Sequence, residues 1–189
     1  MQYFEVVVMR KMLKLLVLFV FSVISAYAND YISLDYGMAE WGGGIYPSEG
    51  SKGGSIIAIS YGRESLFHDR ISFEVEYTQT LDKPSYERTL SDDAFKTTLS
   101  YTTLGAIFTY NFPVVEDKVV VGPRLGLLLE EGNLKTKGGS NTVGSYQEMG
   151  LVFGLMASYR INDRYALIVK YTDLENFTTH TTLGVKYFF

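Results

Sequence analysis

The sequence contains no cysteine, only four prolines, two histidines and a single tryptophan among 189 residues. Without cysteine there is no disulfide scaffold and no thiolate metal site. Two histidines leave little material for imidazole chemistry. Helical periodicity is also missing: no stretch sustains apolar residues at three- and four-residue spacing. Basic charge is not in excess either. The formal charge is −4, and a mildly acidic chain is a poor match for nucleic acid.

Aromatic residues are abundant at 15%, led by 15 tyrosines, and glycine is plentiful at 18. The N-terminal stretch places Arg10, Lys11 and Lys14 before an apolar run from Leu15 to about Ile24, followed by Ala26-Tyr27-Ala28. A charged start, a short apolar centre and an A-x-A site describe a secretory signal peptide cleaved after residue 28, with Ala26 and Ala28 at the cleavage site. The alternative is an N-terminal anchor helix, but the apolar run is short for a bilayer span. Translation could start at Met1, Met9 or Met12. The expected organisation is a signal peptide over 1–28 and one domain over 29–189, a length that suits a single core.

Alternation with period two recurs along that domain. In "ISFEVEYTQT", Ile71, Phe73, Val75 and Tyr77 share one face and Ser72, Glu74, Glu76 and Thr78 the other. Eight such segments are predicted as strands, near 30–41, 54–65, 70–80, 97–112, 118–130, 145–161, 165–173 and 179–189. Each is long enough, at about 9–11 residues, to cross a bilayer as a tilted strand. Long Gly- and Ser-rich connections such as "LDKPSYERTLSDDAF" and "EGNLKTKGGSNTVG" alternate with short ones such as "LFHD" and "NDR". Short turns at one end and long loops at the other suit a membrane barrel. The loops read as flexible and unnecessary for folding.

Alternation alone does not distinguish this layout from a soluble barrel with its apolar face inward. The polar face decides. It is sparse and small, with Ser33, Gly37, Ala58, Ser60, Gly62, Ser72, Gly122, Gly126, Gly154, Ser158 and Gly184, which suits a narrow interior. The apolar face carries rings near strand ends, including Tyr61, Tyr110, Tyr159, Tyr165, Tyr187 and Phe189. These fit an aromatic girdle at headgroup depth, although tyrosine is also simply a good strand former.

With the A-x-A site, the strand "TTLGAIFTYNF" and the ending "LGVKYFF", the chain resembles the small eight-stranded outer-membrane barrels of Gram-negative bacteria, the OmpA-type transmembrane domain and the opacity-type porin family. The resemblance covers nearly all of residues 29–189. It implies an all-β, eight-stranded antiparallel up-and-down transmembrane barrel in the bacterial outer membrane, reached through the periplasm. Its implied neighbours are outer-membrane lipids and lipopolysaccharide. It also implies that Leu183, Val185, Tyr187 and Phe189 form the signal read by the barrel-assembly machinery. OmpA proper continues into a peptidoglycan-binding domain. This sequence stops at the barrel, so no cell-wall tether is expected.

Eight strands enclose an interior that side chains can fill. Its expected charges are Asp35, Glu64, Glu74, Glu76, Arg124, Arg160, Lys170 and Lys186. Placing strand n opposite strand n + 4 pairs Asp35 with Arg124, Glu74 and Glu76 with Lys170, and Glu64 with Arg160. No catalytic residue, cofactor or metal site is expected. His68 falls in a short turn, and His180 faces the interior among threonines without the serine and carboxylate that nucleophilic chemistry needs. Asp92-Asp93 reads as a solvated pair, and the glycine runs at 42–44 and 138–139 lack the Lys-Ser/Thr of a phosphate loop. The expected function is a non-enzymatic monomer with a structural or surface-contact role, meeting an extracellular ligand or host surface through its loops. The alternatives are a narrow channel for small solutes or ions and, more remotely, a lipid-modifying enzyme.

Overall fold

The computed structural model describes residues 29–41, 51–66, 68–90, 93–115, 118–137, 142–174 and 178–189. Eight long strands form one antiparallel meander: β1 (Asp30–Trp41), β2 (Gly54–Arg63), β3 (Ile71–Thr80), β4 (Asp93–Tyr110), β5 (Val119–Lys137), β6 (Thr142–Arg160), β7 (Tyr165–Leu174) and β8 (Thr178–Phe188). Each pairs with the next, and β8 returns to β1 from Tyr31↔Phe188 to Trp41↔Thr178, closing the barrel. Closure leaves no sheet edge at membrane depth, as a lipid environment requires. The eight predicted strands are therefore present, with the alternation setting their faces.

The faces are inverted relative to a soluble protein. Ser33, Asp35, Ser60, Glu74, Glu76, Arg124, Lys170 and Lys186 are buried inside, while Leu34, Met38, Leu125, Leu155 and Leu183 are half or more exposed outside. No water-facing surface would present that many large apolar side chains in one continuous belt. Outward rings cluster toward the short-turn end, where Tyr165 packs on Tyr187 and Tyr187 meets Phe189 edge-on.

Inward glycines let so small a barrel curve. A Cβ on Gly37 would lie 2.0 Å from the Thr181 carbonyl oxygen, and one on Gly126 would lie 2.3 Å from that of Ala106. At these positions the neighbouring backbone occupies the space a side chain would need.

The long connections are not the loops expected from their composition. β4, β5 and β6 run well beyond the apolar belt. Residues 133–136 pair with 142–145, Lys96 pairs with Lys137 at the top of β4 and β5, and a further strand, Ser85–Leu90, pairs along β4. Ser51–Lys52 adds a short piece beside it. These segments build a sheet that rises above one side of the mouth. The turn-end continuation Phe112–Val115 likewise extends β4 past Asn111.

Candidate functional site

The interior is stacked in layers, which follow from what each strand turns inward. Nearest the short-turn mouth, Arg160 reaches Glu64 at 2.9 Å and stacks 4.4 Å over the Phe188 ring. Lys186 sits 4.0 Å over Tyr31 and 3.8 Å from Glu64. Phe188 thus points inward while Phe189 points out, 62% exposed, and the Phe189 amide donates to the Asp30 carbonyl at 3.0 Å.

The next layer is a belt of charge. Lys170 donates to Glu76 at 2.8 Å, to Asp35 at 2.9 Å, to Ser60 at 3.2 Å and to Glu74 at 3.5 Å. Arg124 donates to Glu74, to Glu76 at 2.9 Å and to Thr172 at 2.6 Å. Asp35 therefore meets Lys170, not the Arg124 expected from counting strands across the barrel. The strands of a closed barrel are sheared, so residues at equal sequence height do not sit at equal depth. Glu64 and Arg160 are together, as are Lys170 and both glutamates.

Above the belt lies an apolar layer that the sequence reading did not include: Ile56, Tyr101, Ile107, Leu128, Val152 and Leu174. Inward parity alone places each of them, since Leu128 follows Arg124 and Leu174 follows Lys170 by four residues. The signal was hidden because runs such as "LGLLLE" and "LVFGLM" are apolar on both faces. His180 is embedded here, with Nε2 2.6 Å from the Tyr101 hydroxyl and the two rings stacked. Tyr146 donates to the fully buried Glu130 just above. Replacing His180 with Leu leaves the Tyr101 hydroxyl without its partner and is expected to lower stability by about 1–3 kcal/mol. The Tyr101→Phe/His180→Leu pair should recover much of that loss in urea melts, and a double variant no better than the single one would refute the pairing.

His68 sits in the turn between β2 and β3, where its Nδ1 accepts from the Arg70 amide at 3.2 Å. Ala26, Ala28, Asp92 and the glycine runs at 42–44 and 138–139 lie outside the described residues. Among the described residues no three His, Asp or Glu side chains gather as a metal site.

The exterior above the belt offers the accessible chemistry. On the outward face of β4 and β5, Leu104↔Leu129 is followed upward by Thr102↔Glu131, Ser100↔Asn133 and Thr98↔Lys135. On β6, residues 142–150 pair with β5 on one side. The β6–β7 pairing begins only at Val152↔Leu174, and no described strand flanks residues 142–150 on that side.

No protein-family description matches the chain, and no curated protein matches it by sequence. Solved structures do match by shape. Neisserial surface protein A superposes with a TM-score of 0.60 at 21% identity, over 85% of this chain and 97% of that one. The N-terminal β-barrel domain of Pseudomonas aeruginosa OprF gives 0.54 at 15%, over 85% and 98%. Ail, the attachment invasion locus protein of Yersinia pestis, gives 0.52 at 17%, over 86% and 100%. With its closed eight-strand meander, polar interior and apolar belt, the chain has the fold of a small integral outer-membrane β-barrel.

Proposed function

We propose that this chain is a non-enzymatic outer-membrane protein that contacts another macromolecule through the sheet rising above its mouth. The observation that carries this reading is the side of β6, between residues 142 and 150, that no described strand flanks. Exposed edges are ordinarily blunted with lysine, proline or bulges. This segment, "TVGSYQEMG", has one charge, no lysine and no proline. A row of backbone donors and acceptors held on a rigid barrel is suited to adding a strand from a partner, with side-chain pockets setting specificity. Ail, of similar fold, was solved with a heparin analogue, which favours a surface-contact role for such a scaffold.

The test shortens the β5–β6 hairpin in register, joining Glu131 to Gln147 by a two-residue turn. Cells displaying the full chain should adhere to cultured host cells or to one another, and the shortened form should fall to the level of empty-vector cells while keeping its heat-dependent mobility shift on unboiled gels. Unchanged adhesion with the hairpin removed would refute the proposal.

The outward residues Leu183, Val185, Tyr187 and Phe189 are proposed as the recognition element for the barrel-assembly machinery. Burying a ring of this size contributes about 1.5–3 kcal/mol, a loss a finished barrel survives. Deleting Phe189 should therefore reduce outer-membrane yield in cells far more than it lowers the urea midpoint of protein refolded in detergent. A normal yield with a sharply lowered midpoint would mean that the ring only packs.

A further inference from the structure

A cavity of about 290 Å³ opens at the short-turn mouth, between the β2–β3 turn, the β4–β5 turn and the end of β6. Asp69 and Arg70 reach it from the first turn, Lys118 from the second, and Ser158 and Arg160 from β6. Backbone hydrogen bonds pin these segments to one another. The Asn111 amide donates to the Arg70 carbonyl at 2.6 Å, and the Arg160 amide donates to the Lys118 carbonyl at 2.7 Å. Within the first turn, the Ser65 hydroxyl donates to the Asp69 carbonyl at 3.3 Å. The charged side chains are thus carried on backbone that is fixed before a ligand arrives, which lowers the ordering cost of binding.

Much of this charge is not spent inside the protein. Arg160 is paired with Glu64 at 2.9 Å. Asp69, Arg70 and Lys118 are exposed, and none of them has an ion-pair partner among the described residues. The Ser158 hydroxyl likewise has no hydrogen-bond partner among the described residues. Two free cations and one free carboxylate therefore surround a cavity whose remaining wall includes Pro113 and Val120. A simple anion leaves Asp69 unanswered, and a simple cation is repelled by Arg70 and Lys118. A molecule with a carboxylate at one end and an ammonium at the other answers both. We propose that this mouth binds a short peptide by its two termini, the carboxylate at Arg70 and Lys118 and the ammonium at Asp69. A peptide group between them meets the Ser158 hydroxyl, and small apolar side chains meet Pro113 and Val120. The volume lies at the lower end of the range for ligand cavities and limits the guest to roughly two or three small residues. Short turns face the periplasm in barrels of this layout, so the peptide comes from that side. The site lies at the opposite end of the barrel from the β6 edge, and either proposal can fail alone.

The experiment titrates the full chain, isotope-labelled and folded in detergent micelles, at low ionic strength, and follows the backbone amide signals by NMR. The probes are trialanine, trialanine with an acetylated amino end, trialanine with an amidated carboxyl end, and free alanine. The wild type should bind trialanine about tenfold more tightly than either capped form, the ratio that one charge-assisted contact supplies. D69N should lose the preference over the acetylated peptide and keep the preference over the amidated one. R70Q/K118Q should do the reverse. K135Q, which removes a lysine at the far end of β5, should keep both preferences. All variants should retain the heat-dependent mobility shift. Equal binding of the three peptides by the wild type, or no saturable binding of trialanine, would overturn the proposal, as would unchanged preferences in D69N and R70Q/K118Q. Alanine binding as tightly as trialanine would show a site for free amino acids and would overturn the peptide assignment.

Discussion

Replacing Lys170 with Met should destabilise the folded barrel by about 3–5 kcal/mol, the cost of leaving buried charge unpaired. The Lys170 side chain is 2% exposed and touches Asp35, Glu74 and Glu76. Arg124, the other cation of the belt, reaches Glu74 and Glu76 but makes no ion pair with Asp35. Without Lys170, Glu74 and Glu76 share one guanidinium, and among the described residues Asp35 keeps only the Ser33 hydroxyl, at 3.2 Å. Adding Asp35→Asn to Lys170→Met should restore part of the loss, because it removes the carboxylate that has no second cation. Urea unfolding followed by the gel-mobility shift measures both variants. A Lys170→Met protein with an unaltered midpoint would show that the carboxylates find water or one another, and that the belt does not hold the barrel together.

A comparable loss is expected from Gly37→Val, for steric rather than electrostatic reasons. The new Cβ would meet the Thr181 carbonyl oxygen at 2.0 Å and the Thr182 Cα at 2.6 Å, both backbone atoms of β8. Neither can rotate away. The collision falls on the β1–β8 seam, where Gly37 pairs with Thr182, so relief must come from opening the ladder that closes the barrel. Overpacking commonly costs about 1–3 kcal/mol and occasionally more, and two branched methyl groups at a rigid seam belong at the upper end. Gly144→Ala is the matched control. A Cβ there meets nothing within 4 Å, and this change should leave refolding yield untouched. Equal yields for Gly37→Val and Gly144→Ala would show that the seam is plastic.

What could be read from the sequence depended on whether a strand separates two different environments. At membrane depth one face meets lipid and the other a narrow polar interior, so Ile71-Phe73-Val75-Tyr77 against Ser72-Glu74-Glu76-Thr78 declares both the strand and its orientation. Above the membrane the outward face of β5 meets water and the inward face holds glycine and threonine beside a lone Leu134, alternation fades, and "EGNLKTKGGSNTVG" reads as loop although most of it is paired strand. The partner of Asp35 was illegible for another reason. Alternation fixes which residues point inward, but the stagger that closes eight strands sets their depth, and no single strand encodes it.

The order of the interior layers bears on how densely a cell could carry this protein. An ion entering from the Arg160 mouth would find favourable partners as far as Lys170 and Asp35. It would then have to pass Ile56, Leu128, Val152 and Leu174, which pack in one buried cluster. Moving a bare charge into such surroundings costs many kcal/mol. Such a barrier lies within each molecule, so packing more copies into the membrane would add little leak.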